Sequence, residues 1–349
     1  ETCKEAGVRV VMATGDQPVT ARNIAHAVGL TDSPDVDVVR GRDFDKVEGM
    51  DKEARERLLG TDIFARVSPE QKLDLIALHQ DAGAIVAMTG DGVNNAPALK
   101  KADIGVAMGQ RGTQVAREAA DMVLEDDAFS SIVAAVEQGR AIFNNIRKFV
   151  LYLLSCNISE VLVVALASLI NMPLPIRPLQ ILFLNLVTDV FPALALGVGE
   201  GDPHIMQRPP RDPDEPIMTR YHWTLMGGYG MLITASVLGA LALGLTWLKL
   251  DTNRAVTISF LTLASAQLWH VFNMRDRGSD FFNNGIVKNP YIWGAVGLCV
   301  GLLLLAVYVP FLADLLSIAR LNAKEWALAL GMSLIPWVVG QLLKELELI

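Results

Sequence analysis

The feature that most constrains this chain is the separation of its apolar residues from its charged ones. Of the 349 residues, 52% are hydrophobic and 19% are charged. After residue 147 the apolar residues form blocks roughly 20 long, the length of a helix that spans a lipid bilayer. Before that point, short apolar runs alternate with charged residues, as in a globular domain. The sequence therefore predicts a globular part joined to a bundle of membrane-spanning helices.

The globular part has the pattern of alternating strands and helices. Short apolar or β-branched runs predict strands at 8–13, 63–67, 84–88, 104–108 and 122–124. Helix-start signals lie between them, such as the Ser68-Pro69-Glu70 sequence. Strands that alternate with helices predict a parallel sheet, and such sheets carry their chemistry at the carboxyl ends of the strands. Thr-Gly-Asp triplets lie at two of those ends, at 14–16 and 89–91.

The apolar part predicts about six membrane spans. They are expected at 148–170, 178–199, 223–248, 255–273, 291–313 and 326–343. A helix at 128–147 leads into the first span as a stalk, so the predicted segments are 1–127, 128–147 and 148–349. The loops at 200–222 and 274–290 are rich in arginine and lysine, which places them, the globular part and the C-terminus in the cytosol. We therefore expect a multi-pass protein of the plasma membrane or an internal membrane.

Charge and cysteine content exclude some classes of partner and site. The formal net charge of −8 gives no reason to expect a nucleic acid partner, whereas the lipid bilayer is an expected one. Cys3, Cys156 and Cys299 are far apart and have neither metal-binding nor disulfide spacing.

A carboxylate between two glycines follows the third predicted strand. Gly90 and Gly92 would let the backbone approach a phosphate closely while Asp91 holds Mg²⁺. Lys72, in the first turn of a predicted helix, could neutralise the charge of a phosphoryl group. Taken alone, these features are more often a tight turn and a solvated lysine, so their combination with other motifs decides the interpretation.

Five oxygen-bearing side chains lie within two consecutive predicted spans. Asn157 and Glu160 share a helix face in the first, and Asn185, Thr188 and Asp189 share a face in the second. Burying two carboxylates in hydrocarbon costs on the order of several kcal/mol unless something compensates. Hydrogen bonding between helices is one explanation, but five such residues favour a cation site. Carboxylate, amide and hydroxyl oxygens suit a hard cation such as Ca²⁺.

The motifs occur in an order that resembles one family. Thr-Gly-Asp at 14–16 is followed by Ala-Arg-Val-Ser-Pro-Glu-Gln-Lys at 65–72, Met-Thr-Gly-Asp-Gly-Val-Asn at 88–94 and Lys-Lys-Ala-Asp-Ile-Gly-Val-Ala-Met-Gly at 100–109. This order resembles the phosphorylation domain of the calcium-pump-like P-type cation-transporting ATPases. The resemblance continues through 137–145 into the spans. It implies an α/β haloacid-dehalogenase-like domain with a Rossmann-type parallel sheet, fused to an all-α transmembrane bundle of about six helices.

The resemblance also implies roles for individual residues, with Mg²⁺ and ATP as cofactors. Thr14 would hydrogen-bond the phosphoryl group, Lys72 would offset its charge, and Asp91 would ligate Mg²⁺. Asp16 and Arg66 would line the ATP phosphates. The expected catalytic residues are therefore Thr14, Gly15, Asp16, Arg66, Lys72 and Asp91, and the expected cofactor-binding residues are Thr14, Gly15, Asp16, Arg66, Lys72 and Asn94.

The sequence departs from the family in two respects. The family's Asp-Lys-Thr-Gly-Thr segment, which carries the phosphorylated aspartate, has no counterpart in this sequence. We therefore expect the chain alone not to turn over ATP and to require the missing N-terminal part of the same pump. In addition, Asn95 stands where the family usually has Asp, and losing a carboxylate near Mg²⁺ should weaken metal binding.

The intramembrane residues resemble the calcium-site residues of the calcium-pump group. The expected ligands of the transported cation are Asn157, Glu160, Asn185, Thr188, Asp189 and Gln267. Gln267 stands where that group has Glu, so the site would carry less negative charge, and His270 is expected to pack or to hydrogen-bond. The expected function is ATP-driven export of Ca²⁺ from the cytosol through an aspartyl-phosphate cycle, with Mn²⁺ or Na⁺ as alternative ions.

Two other classes of function remain as alternatives. An impaired or truncated pump remnant could act as a membrane binding or regulatory protein. A membrane-anchored phosphatase is disfavoured because it would need its own nucleophilic aspartate and would have no use for intramembrane carboxylates.

Overall fold

The computed structural model describes residues 2–33, 35–44, 49–276, 279–281 and 283–346. The chain divides into two compact units: Glu1–Gln138 with Pro203–Asp214, and Gly139–Asp202 with Glu215–Ile349. The first unit thus includes more than the predicted globular segment 1–127, and the three-segment division stays a prediction. Residue 1 and residues 347–349, the outer ends of the predicted first and last segments, lie outside the described residues.

Short parallel strands form the sheets of the first unit. In the described residues they are β1 Met12–Ala13, β2 Val39–Arg40, β3 Ile63–Ala65, β4 Ala87–Gly90, β5 Ile104–Met108 and β6 Met122–Leu124. They pair in the orders β1-β3-β2 and β4-β5-β6, and every pairing is parallel. The parallel α/β class is therefore confirmed, with the strands divided between two three-stranded sheets.

Helix α1 Thr2–Glu5 precedes the first strand. The α-helices that connect the strands are α2 Pro18–Ala27, α3 Lys52–Gly60, α4 Pro69–Asp81, α5 Ala96–Lys101 and α6 Gln114–Ala119. Helix α4 begins as the sequence predicts. The Ser68 hydroxyl accepts from the Gln71 N–H at 3.2 Å, and the Gln71 side chain accepts from the Ser68 N–H at 3.0 Å. Pro69 fits the first helical position because its missing N–H would have no partner there.

Three strands differ from the sequence prediction. β3 ends at Ala65 rather than at residue 67, because Arg66 has a left-handed backbone conformation. β1 is only Met12–Ala13 rather than 8–13, because its partner β3 is short and pairs first at Ile63. β4 begins at Ala87 rather than at residue 84, because the Ala84 N–H still donates to the His79 carbonyl at the end of α4. β4 extends to Gly90, so Asp91 follows the strand directly. β2 was missed because a strand of two residues has no alternation to detect.

In the described residues, six helical segments are long and apolar enough to cross a membrane, which confirms the predicted number. They are α7 Phe129–Leu169; Pro178–Gly197, which comprises α8 Pro178–Phe183, a π-helical turn Leu184–Thr188 and α9 Val190–Gly197; α10 Arg220–Thr246; Thr252–Met274, which comprises α11 Thr252–His270 and a 3₁₀ turn Val271–Met274; α13 Pro290–Tyr308; and α15 Ala323–Glu345. In the part of the chain that the structure describes, the short helices α12 Gly285–Lys288 and α14 Pro310–Leu316 lie between the later spans.

The fourth span is the centre of the second unit. Of its most apolar stretch, 94% is buried, and α11 packs against both α10 and α15. The fifth span is shorter than predicted: the sequence pattern runs over 291–313, but the helix ends at Tyr308. Pro310 lacks the N–H needed to continue that helix and instead begins α14.

Candidate functional site

The loops after β1 and β3 are joined by backbone hydrogen bonds. The Thr14 N–H donates to the Phe64 carbonyl at 2.9 Å, and the Val67 N–H donates to the Thr14 carbonyl at 3.1 Å. The Arg66 N–H donates to the Asp16 carbonyl at 3.1 Å. The Thr14 hydroxyl donates to the Asp16 carboxylate and accepts from the Asp16 N–H, both at 3.1 Å. The structure therefore brings the predicted residues Thr14, Asp16 and Arg66 together.

Arg66 has an unusual backbone conformation within this group. Its φ of 54° lies in the left-handed region, which costs a residue other than glycine roughly 1–2 kcal/mol. The hydrogen bonds of Arg66 and Val67 to the first loop hold the turn in place. Gly15, Asp16 and Arg66 are exposed, so this edge is open to a ligand from solvent.

The side-chain amide of Asn95 joins Lys72 and Asp91, two further residues of the predicted catalytic set. The Lys72 ammonium donates to Asn95 Oδ1 at 2.9 Å, and Asn95 Nδ2 donates to Asp91 Oδ1 at 3.4 Å. Gly90 makes room for this amide, because a Cβ at position 90 would lie 2.6 Å from Asn95 Cβ. Asn95 thus connects the predicted phosphate-binding lysine to the predicted Mg²⁺ ligand. Asn94 lies beside it, exposed, in the 3₁₀ turn Val93–Asn95.

The electrostatics of this cluster depend on two opposing effects. Burial lowers the pKa of Lys72, because desolvation disfavours its charged form, and the Asp91 carboxylate opposes that shift. The pKa of Lys72 therefore depends on its acidic neighbour.

In the second unit, the predicted cation ligands are centred on Glu160. Asn185 Nδ2 donates to Glu160 Oε2 at 2.9 Å, and Gln267 Nε2 donates to Glu160 Oε1 at 3.0 Å. Glu160 is 5% exposed and Gln267 is fully buried, so neither faces a lipid surface. Three of the predicted spans therefore contribute to one polar site inside the bundle.

The neighbouring carboxylate of Asp189 has no such donors. Among the described residues, neither Asp189 oxygen has a hydrogen-bond partner, and neither does Gln267 Oε1. Asp189 is 1% exposed and interacts electrostatically with Glu160. Buried polar atoms almost always have a partner. Three acceptors that lack one within the described ranges, beside the Glu160 carboxylate, therefore indicate a place for a positively charged or hydrogen-bond-donating group.

The helix that carries Asp189 is irregular at this point. The Asp189 N–H donates to the Leu184 carbonyl at 3.1 Å, five residues earlier, which is the spacing of a π-helix. The Thr188 hydroxyl donates to the same carbonyl at 2.8 Å, and Pro192 offers no N–H to the Thr188 carbonyl. Asn157 lies half-buried on α7 and is not among the side chains that these hydrogen bonds join.

One contact at this turn was not predicted. The Cys299 thiol, on α13, donates to the Val187 carbonyl at 3.2 Å, and an isolated cysteine in an apolar block gives no signal for such a role. The described residues contain no group of three or more His, Cys, Asp and Glu side chains arranged to hold a metal. Amide oxygens would therefore have to complete a cation site around the two carboxylates.

Comparison with known proteins identifies the class. Residues 173–346 match the family described as cation transporting ATPase, C-terminus, and residues 1–103 match haloacid dehalogenase-like hydrolase. The chain belongs to the P-type cation-transporting ATPases.

Curated relatives are similar along nearly the whole chain. Calcium-transporting ATPase 1 of Bacillus cereus is 40% identical over 98% of this chain and 40% of its own length. The calcium-transporting ATPase of Bacillus subtilis is 42% identical over 96% of this chain and 37% of its own length. An endoplasmic reticulum-type calcium-transporting ATPase of Arabidopsis thaliana is 34% identical over 98% of this chain and 37% of its own length. The chain thus spans about two fifths of the length of these relatives.

Proposed function

We propose that this chain is part of an ATP-driven pump that moves Ca²⁺ out of the cytosol through an aspartyl-phosphate cycle. The observation that carries the proposal is a set of acceptors that have no hydrogen-bond partner among the described residues, Asp189 Oδ1 and Oδ2 and Gln267 Oε1, beside the Glu160 carboxylate. Inside an apolar bundle such a set is costly unless a cation occupies it for part of the cycle.

Calcium is the favoured cation because of the donor atoms. The side-chain amides of Asn185 and Gln267 lie within hydrogen-bond distance of the Glu160 carboxylate. The proposed ligands offer carboxylate, amide and hydroxyl oxygens, and hard cations such as Ca²⁺ prefer oxygen ligands. The proposed ligands are Asn157, Glu160, Asn185, Thr188, Asp189 and Gln267. Relatives named calcium-transporting ATPases support this choice. Because Gln267 is neutral, one divalent ion per cycle is favoured, and Mn²⁺ and Na⁺ remain the competing ions.

The first unit would supply the phosphoryl-transfer chemistry. The Asp91 carboxylate is exposed and flanked by glycines, so it fits a Mg²⁺ ligand, and Mg²⁺ would neutralise phosphate charge there. Lys72 would offset phosphoryl charge, and the Thr14 hydroxyl would donate a hydrogen bond to the phosphoryl group. Asp16, Arg66, Gly15 and Asn94 would line the ATP phosphates.

Orientation and partners follow from the same proposal. The arginine-rich loops favour a cytosolic globular part and a cytosolic C-terminus, in a plasma or internal membrane. The chain would work with the lipid bilayer and with the N-terminal part of the same pump, since it spans about two fifths of its relatives. Neither the relatives nor the described residues favour the remnant or the phosphatase as an alternative.

The test is transport by the complete gene product in sealed vesicles. We expect ATP-dependent uptake of radiolabelled Ca²⁺ that is abolished by Asp189→Asn, while membrane insertion is unchanged. Asn95→Asp serves as a second variant, because a weak pump should gain rate when the carboxylate is restored. If neither the unchanged protein nor Asn95→Asp takes up Ca²⁺, the calcium assignment is wrong.

A further inference from the structure

A chain of hydrogen bonds with one fixed direction runs from the end of α15 into the bundle. Arg275 Nε donates to Gln341 Oε1 at 2.7 Å, and Gln341 Nε2 donates to Asn273 Oδ1 at 2.9 Å. Asn273 Nδ2 then faces His270 Nδ1 at 3.3 Å. All four side chains are buried, with Arg275 and Gln341 each 5% exposed and the other two fully enclosed. We call Arg275, Gln341, Asn273 and His270 the polar chain.

The direction of the polar chain is fixed by its first member. A guanidinium can only donate, so the oxygen of the Gln341 amide must face Arg275 and its nitrogen must face Asn273. The Gln341 nitrogen also donates to the Phe272 carbonyl at 2.9 Å, and Asn273 Nδ2 also donates to the Pro336 carbonyl at 3.4 Å. Both amides are therefore held in one orientation.

The orientation of Asn273 determines the tautomer of His270. Because an N–H of Asn273 points at His270 Nδ1, that nitrogen must be the acceptor and must carry no proton. The ring is then neutral and has its proton on Nε2. Among the described residues, His270 Nε2 is buried without a hydrogen-bond partner. The polar chain thus ends in a buried donor that has no acceptor in the described part of the chain.

Two tyrosines pack on the same ring. The Tyr229 ring lies 4.6 Å from His270, edge to face, and the Tyr152 ring is stacked at 5.9 Å. The Tyr152 hydroxyl has the Cys156 thiol of the same helix as a side-chain partner, whereas within the described part of the chain the Tyr229 hydroxyl is buried and lacks a hydrogen-bond partner. Two polar atoms on two packed rings, from α10 and α11, therefore lack partners among the described residues. Leaving one buried polar group unsatisfied is costly, and an internal water is the usual partner in a polar pocket.

We propose that His270 and Tyr229 form a buried water site, in which His270 Nε2–H donates to the bound water. The ligand is an uncharged hydrogen-bond acceptor, because a neutral imidazole and a hydroxyl supply no charge to hold an ion. The water extends the polar chain from the C-terminal helix to α10. It is distinct from the proposed cation ligands and does not depend on the pump function.

Gly340 supports the site from α15. A Cβ at Gly340 would lie 2.8 Å from Asn273 Nδ2, so only glycine lets the Asn273 amide occupy its present position. Gly331 lies on the same helix, and a Cβ there would meet nothing within 4 Å. The pair gives a matched test of the polar chain.

The test is solid-state NMR of the chain in lipid bilayers, with nitrogen-labelled histidine and His270 assigned by the loss of its signal in His270→Phe. We expect a neutral ring protonated at Nε2, with magnetisation transferred from water to that N–H. A ring protonated at Nδ1, a doubly protonated ring, or the absence of transfer from water would overturn the proposal.

Two variant pairs extend this test. Gly340→Ala should shift the His270 ring signals, whereas Gly331→Ala should leave them unchanged; unchanged signals in Gly340→Ala would contradict the polar chain. Tyr229→Phe should reduce the transfer from water and lower the Tm, whereas Tyr291→Phe, at an exposed tyrosine, should do neither. Full transfer from water in Tyr229→Phe would remove that hydroxyl from the site.

Discussion

Gln267 and Glu160 lie 107 positions apart in the sequence and are joined by a 3.0 Å hydrogen bond from Nε2 to Oε1. Asn185 donates to the other carboxylate oxygen of Glu160. Both oxygens are therefore held by neutral amides, and these contacts bring no positive charge to the site. The charge of the site consequently depends on which residue occupies position 267.

Gln267→Glu will make the bundle more dependent on a bound cation. A second carboxylate would replace the amide donor of a fully buried residue. Leaving a buried charge uncompensated typically costs about 3–5 kcal/mol, so unfolding without divalent ions should become easier by a similar amount. Adding Ca²⁺ should restore more stability to this variant than to the unchanged protein, as measured by thermal unfolding in detergent. Gln17→Glu, at an exposed position, is the control. It should change neither the stability without divalent ions nor the stabilisation gained on adding Ca²⁺.

Asn95→Asp will increase stabilisation by Mg²⁺. The Lys72 ammonium lies 2.9 Å from Asn95 Oδ1, so it can pair with a carboxylate there. The new carboxylate would also lie beside Asp91, and two carboxylates bind a hard divalent ion better than one. The rise in Tm on adding Mg²⁺ should therefore be larger than in the unchanged protein. Asn94→Asp places the same charge on the exposed neighbour, and an equal rise in that variant would contradict the account.

Much of the first unit could be predicted because its signals are local. The start of α4 follows from Ser68, Pro69 and Gln71, which are adjacent in the sequence. The position of Asp91 after a strand follows from the apolar run before it. The Lys72–Asn95 contact could not be predicted, because it joins side chains 23 positions apart across two helical elements.

In the membrane part, too, features set by neighbouring residues could be predicted, whereas contacts between distant segments could not. The number of spans follows from length and hydropathy, since each span must cross the same thickness of lipid. The π-helical turn before Asp189 has no characteristic amino-acid composition that would predict it. Pro192 indicates only that the helix is weakened nearby. Gln267 hydrogen-bonds to Glu160, while Asp189 has no partner among the described residues. This difference depends on how the helices pack, and no single segment of the sequence encodes that packing.

Asp91→Asn will lower the pKa of Lys72 further. Burial already lowers this pKa, and the Asp91 carboxylate raises it by stabilising the ammonium. Without that carboxylate, Lys72 should lose its proton at a lower pH than in the unchanged protein. Competitive acylation across a range of pH, read by mass spectrometry, measures the pKa. The control is Asp81→Asn, at the exposed last residue of α4, which should leave the pKa of Lys72 unchanged. An unchanged pKa of Lys72 in Asp91→Asn would show that Lys72 and Asp91 do not interact.

Gly90→Ala will destabilise the first unit. The added Cβ would lie 2.6 Å from Asn95 Cβ, so Asn95 must move and lose its bond to Lys72. Overpacking of this kind typically costs about 1–3 kcal/mol, measurable by chemical denaturation. Gly92→Ala is the matched control, because its Cβ would lie 3.9 Å from Asn95 Nδ2, an ordinary contact. Equal stability of the two variants would mean that the close approach at Gly90 is not needed.

The central claim is that oxygen atoms of neighbouring spans hold the transported cation, and equilibrium binding of radiolabelled Ca²⁺ tests it most directly. The complete gene product in lipid nanodiscs should bind Ca²⁺ saturably, and Asp189→Asn should weaken binding by at least about tenfold, the effect of roughly 1.4 kcal/mol. Asp314→Asn, at an exposed carboxylate of α14, should bind like the unchanged protein. Equal Ca²⁺ affinity in Asp189→Asn and the unchanged protein would contradict the account.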